Sequence, residues 1–155
     1  MRRTILLAML LVSAFALVAH AETVRLVAGQ HYDAGLVTVI ADGDLITITI
    51  GTENGWVLEE THVYVGLTPP KKAAPGQFPY KHEKLNGATA DSYVIDTPDV
   101  GAECGDDLYV AVHAVVVGEG NEYGEETAWG EGDPIREGKN WAMMFEVLID
   151  CGITY

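Results

Sequence analysis

Residues 56–66 read WVLEETHVYVG, a run rich in aromatic and β-branched residues that no proline interrupts. Such a run is typical of a β-strand. Because successive side chains of a strand point to opposite faces, the sequence predicts two sets of side chains. One face is expected to carry Trp56, Leu58, Glu60, His62 and Tyr64, and the other Val57, Glu59, Thr61, Val63 and Val65. A carboxylate and an imidazole then lie between aromatic neighbours, which makes Glu60 and His62 the first candidates for a site.

Strand-like alternation continues on both sides of this run. Six further segments show it, at 23–28, 36–41, 44–50, 92–96, 108–117 and 141–150. Asp42-Gly43 and Asn54-Gly55 are dipeptides that favour tight hairpin turns between such segments. Helical periodicity is weak after residue 21. We therefore predict an all-β chain, a single-domain antiparallel β-sandwich of about seven strands with two long loops.

The N-terminus reads MRRTILLAMLLVSAFALVAHA, with two arginines, an apolar run and an Ala-His-Ala ending. This order predicts a secretory signal peptide at 1–21, cleaved after Ala21, with the β-sandwich domain at 22–155. A membrane anchor is the alternative, but the apolar run at 5–19 is shorter than the about 20 residues that a span needs. We expect no membrane span in the mature chain and a secreted or cell-surface location, or a periplasmic one.

Acidic residues dominate the charge of the chain, which has 9 Lys and Arg, 23 Asp and Glu, and a formal net charge of −14. Removal of Arg2 and Arg3 with the signal peptide takes away no acid and lowers this charge to −16. Nucleic acids and anionic membranes are repelled by such a surface. A divalent cation or a basic partner is favoured instead.

Only two cysteines are present, Cys104 and Cys151, and both follow the predicted signal peptide. An even pair in an exported chain predicts a disulfide bond. A zinc site is the alternative, but neither cysteine has a second Cys or a His at the spacing of a zinc finger.

Two long connections, 67–91 and 118–140, separate the predicted strands, and loops of this length are usually functional or disordered. The first holds four of the seven basic residues that follow residue 21, and the second holds seven acids. Either both loops are simply solvated, or they dock, within one molecule or between neighbours in a head-to-tail assembly. Self-association is thus one expectation.

Metal-ligating residue types occur on two predicted strands. Glu60 and His62 at i and i+2, together with His113 on a later strand and His82 between them, can supply a Zn²⁺ site. The alternatives are a buried polar cluster whose members satisfy one another, and a catalytic acid–base pair. Acidic, glycine-containing segments at 41–44, 104–107 and 118–126 suit Ca²⁺, although turn formation explains them equally.

Aromatic residues at loop positions are candidates for ligand or partner contacts, with Phe78, Tyr80 and Trp129 foremost and Tyr32, Tyr123 and Trp141 beside them. Such rings can stack on sugars or join interfaces, or they can form a satellite core beneath the loops. The G-x-S-x-G, H-E-x-x-H and P-loop motifs are absent from the sequence. A non-enzymatic protein is favoured on this ground, and no catalytic residue is assigned.

Five blocks in order resemble a family of exported β-rich domains that occurs in large surface or secreted proteins of bacteria and in some fungal proteins. They are WVLEETHVYVG at 56–66, PGQFPYKH at 75–82, LYVAVHAVVV at 108–117, ETAWGEG at 126–132 and NWAMMF at 140–145. The resemblance implies export, an all-β fold and a surface or matrix role, with Glu60 and His62 as part of the domain framework. That family has no established activity, so the resemblance implies no catalytic residue.

These observations predict a secreted, non-enzymatic surface, extracellular-matrix or binding module. The first alternative is a metal-binding protein or metal-dependent enzyme that uses Glu60, His62, His113 and His82. The second is a carbohydrate-binding module that uses the loop aromatics.

Overall fold

The computed structural model describes residues 20–119, 121–138 and 140–152, and these residues form ten β-strands and two short 3-10 helices. The first five strands are β1 (Ala21–Ala28), β2 (Tyr32–Ala41), β3 (Leu45–Thr52), β4 (Trp56–Gly66) and β5 (Tyr80–His82). The others are β6 (Ala90–Asp96), β7 (Asp107–Gly118), β8 (Glu125–Gly130), β9 (Asp133–Pro134) and β10 (Met143–Leu148). The 3-10 helices are Pro75–Gln77 and Thr97–Val100. The prediction of an all-β chain is confirmed.

All strand pairings are antiparallel, and eight strands follow one hydrogen-bonded path in the order β5-β4-β7-β8-β1-β2-β3-β6. The ninth and tenth lie off this path, where β10 pairs with the start of β7 and with β9. The sheet curls until its two end strands approach, and the His82 ring of β5 stacks on the Tyr93 ring of β6 with their centroids 4.3 Å apart. Among the described residues, no helix is both long and apolar enough to span a membrane.

The structure has ten strands instead of the seven predicted, and one connected sheet does not confirm the two-sheet sandwich. The three additional strands, β5, β8 and β9, all lie in the segments predicted to be loops, 67–91 and 118–140. They are short and rich in charged or small residues, so their own sequences carry little strand signal. Their pairing with longer neighbours makes them strands.

A β-bulge in β4 changes which of its side chains share a face. Leu58 pairs with Val116 and Glu60 pairs with Val115, so Glu59 is an extra residue between them. One extra residue reverses the alternation that follows it. Trp56 and Leu58 therefore lie with the later Val63 on the face that carries the main apolar core, which we call the inner face. The prediction that they share a face with His62 is wrong.

Two apolar clusters lie on opposite faces of the sheet. The inner cluster is built mainly from aliphatic side chains and includes Leu26, Val37, Val39, Ile46, Ile48, Ile50, Leu58, Val63, Val110 and Val112. The smaller outer cluster contains Phe78, Ala111, Trp129 and Ala142, with Tyr64, Ala73, Ile135, Trp141, Met143 and Met144 packed against it. Long segments that follow β4 and β9 thus cover part of the outer face.

The two long connections dock on each other within the molecule. Residues of both contribute to the outer cluster, the Arg136 guanidinium donates to the Lys71 carbonyl at 3.0 Å, and the Asn140 amide donates to the Ala73 carbonyl at 3.5 Å. In the described parts of these segments, no lysine of the first forms an ion pair with an acid of the second. Apolar packing and backbone acceptors hold the segments together, and opposite charges do not.

Cys104 and Cys151 form the predicted disulfide bond, with their Cα atoms 5.6 Å apart. The bond joins the segment before β7 to the segment after β10, across 47 positions of sequence. On the chain-entropy model, a loop of this length contributes about 4 kcal/mol to stability. The sulfurs pack on the β2–β3 turn at Gly43, where a Cβ atom would lie 3.0 and 3.1 Å from them. A larger residue at this position would therefore press on the disulfide bond, so the turn favours glycine.

Candidate functional site

A row of side chains crosses the outer face of the sheet from β4 to β1. The register pairs His62 of β4 with His113 of β7, His113 with Trp129 of β8, and Trp129 with Val27 of β1. Because directly opposed residues of neighbouring strands point to the same face, these four side chains are neighbours in space. They lie on the outer face of the sheet, which also carries the outer cluster.

His62 and His113 form a buried pair, with their Nδ1 atoms 3.1 Å apart and only 6% and 7% of each residue exposed. Burial lowers the pKa of His62, and burial together with the nearby His62 lowers the pKa of His113 to about 3. Both rings are therefore neutral at pH 7, and one Nδ1–H donates to the Nδ1 of the other. The Trp129 and His113 rings pack in a T-shaped arrangement, with their centroids 5.0 Å apart.

Glu60 lies on the other side of the His62 ring from His113. Its Oε2 atom is 3.8 Å from Nε2 of His62, whereas His113 faces Nδ1. The two nitrogens of an imidazole point away from each other, so Glu60 and His113 do not converge on one point. Among the described residues, no group of three or more His, Cys, Asp or Glu side chains is arranged to hold a metal ion.

The structure separates His82 from the other predicted ligands. His82 pairs with Thr61, so it lies on the face opposite to His62. Its Nδ1–H donates to both oxygens of Asp91 at 3.0 Å, and Asp91 also accepts from Thr61 Oγ1. Thr61 Oγ1 lies 2.7 Å from the Tyr93 hydroxyl, whose pKa is raised by burial. This network joins the two ends of the curled sheet, and no local sequence pattern pointed to Asp91.

The acidic turns proposed for Ca²⁺ have a structural explanation. Asp42 accepts the backbone N–H groups of Asp44 and Leu45 at 2.8 and 2.7 Å, and these hydrogen bonds lower the pKa of Asp42. Asp106 similarly accepts the N–H of Glu103 at 2.9 Å. Carboxylates used in this way stabilise turns.

Of the predicted contact residues, Phe78 and Trp129 are buried in the outer cluster, and Tyr80 packs against the inner one. Phe78 and Trp129 therefore belong to a small second core, which was the alternative to a contact role. Trp141 is half-buried and lines two open pockets on the outer face. One pocket, of about 250 Å³, has His113 and Trp129 in its lining. The other, of about 370 Å³, is lined by Arg25, Gln30, Tyr32, Glu131 and Trp141 among others.

Arg25 and Glu131 are the residues that sequence reasoning missed, because 106 positions separate them. Backbone pairing explains why they meet, since the Glu131 N–H donates to the Arg25 carbonyl at 2.8 Å. Arg25 Nε donates to Glu131 Oε2 at 2.9 Å, and Arg25 Nη2 donates to Oε1 at 2.6 Å. This two-point contact lowers the pKa of Glu131 and raises that of Arg25.

Comparison of the chain with protein-family models, with curated proteins and with solved structures finds no match. Function must therefore be inferred from the site itself.

Proposed function

We propose that this chain is an exported, non-enzymatic surface or binding module that presents the outer face of its sheet to a ligand. The observation that carries the proposal is the pair of open pockets that Trp141 lines, on a face that the long connections only partly cover. Clefts that combine aromatic walls with a few polar groups are typical binding sites.

Rigidity of the scaffold supports a binding role. The outer face is formed by strands whose inner side chains are almost completely buried, and a disulfide bond joins the segments that flank β7 and β10. A preformed face reduces the entropy lost when a ligand binds. Export is supported by the signal-like sequence at 1–21, by the disulfide bond and by the family resemblance.

The metal-dependent alternative has weaker geometric support. His62 and His113 turn their Nδ1 atoms toward each other, so the two rings share a hydrogen bond. They do not leave a common vacant position at which both could bind a metal ion. His82 is engaged with Asp91 on the opposite face. Metal analysis of the purified chain gives a direct test, and stoichiometric zinc whose removal lowers the melting temperature would favour this alternative.

Export is tested by mass spectrometry of the chain produced in an export-competent host. We expect the protein outside the cytoplasm, with Glu22 as its first residue and no free thiol. A cytoplasmic product that retains residues 1–21 would contradict this part of the proposal.

Binding is tested with a thermal-shift screen of the purified chain against neutral and charged saccharides, peptides and extracellular polymers. We expect at least one class to raise the melting temperature without being chemically altered. The Trp141→Ala variant should lose this shift, whereas Val94→Ala, at an exposed position on β6, should keep it. Conversion of the ligand to a product would overturn the non-enzymatic assignment, and no response to any class would overturn the binding role.

A further inference from the structure

We propose that the 370 Å³ pocket between Arg25, Glu131, Tyr32 and Trp141 binds a neutral saccharide, with a sugar ring against Trp141 and its hydroxyls on the Arg25–Glu131 pair. We call this cleft the Arg25–Glu131 pocket. The inference rests on the proposed function, because it names the ligand class and the subsite of that binding face.

The size and position of the pocket suit a small ligand. Its volume lies near the lower end of the roughly 300–1,000 Å³ range of small-molecule sites. Its lining comes from β1, the β1–β2 turn, β2, the segment after β8, β9 and the segment around β10. Residues distant in sequence thus converge on one cleft, as in many binding sites.

The polar part of the pocket offers donors and acceptors side by side. Arg25 uses Nε and Nη2 to bind Glu131, and an arginine has five N–H donors, so three remain. Each carboxylate oxygen of Glu131 also keeps a lone pair. With 54% and 45% of their side chains exposed, both groups are accessible. Adjacent hydroxyls of a sugar can each donate one hydrogen bond and accept another. They can therefore bind the free N–H groups of Arg25 and the free lone pairs of Glu131 side by side.

The charge of the pocket favours a neutral ligand. Arg25 is already neutralised by the two-point contact with Glu131, so it does not offer an unpaired cation to a phosphate, sulfate or carboxylate. The formal charge of the chain, −14 with the N-terminal segment, also repels polyanions. Acidic saccharides are therefore expected to bind less well than neutral ones.

The apolar part of the pocket is held in place by its flanking backbone. Ala142, next to Trp141, is buried in the outer cluster, accepts the Ile135 N–H at 2.9 Å and donates its own N–H to Asn140 Oδ1 at 3.3 Å. Tyr32 lines the same cleft. The Trp141 ring itself packs against the outer cluster. An aromatic ring restrained by such packing can pack against the C–H face of a pyranose at little entropic cost.

Intrinsic fluorescence gives a site-specific test. The chain has three tryptophans, and two of them, Trp56 and Trp129, are only 3% exposed. Trp141 is thus the main reporter of ligand binding, and the Glu131→Gln variant distinguishes the Arg25–Glu131 pocket from the second pocket, which Trp141 and Trp129 both line. We propose to titrate the full chain with neutral disaccharides of glucose, galactose, mannose and N-acetylglucosamine, and with glucuronic acid oligomers for comparison.

The expected result is a saturable change with at least one neutral sugar. Glu131→Gln should weaken binding about tenfold, because it removes a charge-assisted acceptor. Trp141→Ala, followed by calorimetry because the reporter is lost, should reduce binding below detection. Glu146→Gln, an exposed carboxylate on β10 without an ion pair among the described residues, is the matched control and should bind as the parent chain does. If Glu131→Gln does not fold, Arg25→Lys keeps the charge and removes the two-point geometry, and it should show the same loss.

Three outcomes would overturn the inference. Equal affinities of the parent chain, Glu131→Gln and Trp141→Ala would place any sugar elsewhere. Preference for the glucuronic acid oligomers would contradict the charge argument. Failure of every neutral sugar, together with binding of another class in the thermal-shift screen, would refute the saccharide assignment and leave the proposed binding function intact.

Discussion

Two cross-strand polar pairs lie on the same outer face, and they differ in burial. His62 and His113 are almost completely buried, with the Trp129 ring packed on His113, and both rings are neutral. Arg25 and Glu131 are about half exposed and both are charged. A buried charge is costly, so the covered position holds groups that can discard their protons, whereas the open position holds full charges.

This difference separates structural from ligand-facing roles. The histidine pair is almost completely buried and its two Nδ1 atoms share one hydrogen bond, so changing it should affect folding first. The Arg25–Glu131 pair keeps free donors and acceptors toward solvent, and changing it should affect binding first. Substitutions at the two pairs therefore test whether the two roles are distinct.

The largest effect is expected from His113→Ala. Removal of this ring leaves Nδ1 of His62 buried without its partner and opens a cavity beneath Trp129. Together these effects should lower the free energy of unfolding by about 3 kcal/mol. Urea denaturation at pH 7 measures the change. The His62→Ala/His113→Ala double variant should lose less than the sum of the two single variants, and strict additivity would show that the pair is not coupled.

A pH dependence should follow from the same pair. The pKa of His113 is about 3 in the folded chain, against about 6.5 when unfolded. As the pH falls, the unfolded chain therefore protonates this ring at a higher pH than the folded chain does. The stability contributed by neutral His113 is complete above about pH 6.5 and is lost progressively as the pH falls toward about 3. Between pH 7 and pH 5 the loss should be about 2 kcal/mol. Burial also lowers the pKa of His62, so His62 adds to this loss of stability. The nearby Glu60 raises the pKa of His62 and so makes that addition smaller.

Urea midpoints at pH 7 and pH 5 measure this loss, and His113→Gln is the control because glutamine does not titrate. Carboxylates with lowered pKa values, such as Asp42 and Glu131, lose their contribution only below about pH 4, so they act in a separate window. An unchanged loss in His113→Gln would mean that other groups cause the acid sensitivity.

Much of the fold could be predicted because long strands carry their own pattern. All seven predicted segments overlap strands of the structure, and the cysteine pair could be predicted from number and context. The bulge at Glu59 could not, because its cause is pairing with β7 and not the sequence of β4. Strands β5, β8 and β9 were missed for the same reason, since their neighbours define them.

The site was predictable only in part. The sequence offered Glu60, His62 and His113 as candidate ligands by residue type and strand position, and the structure places Glu60 and His113 next to different nitrogens of the His62 ring. Their atomic arrangement depends on register, which pairs His62 with His113 but places His82 on the other face. Arg25 and Glu131 lacked any local signal, because their contact exists only after β8 pairs with β1.

The smallest effect on stability is expected at the exposed pair. Arg25→Ala removes one solvent-exposed ion pair, and such pairs contribute about 1 kcal/mol or less. The difference from the parent chain should shrink further in 1 M salt, where the Debye length is about 3 Å. Urea denaturation at low and high salt measures both quantities, with His113→Ala beside it as the salt-insensitive reference. A loss at Arg25 as large as that at His113 would mean that both pairs are structural, and the assignment of the exposed pair to ligand binding would then lose its physical basis.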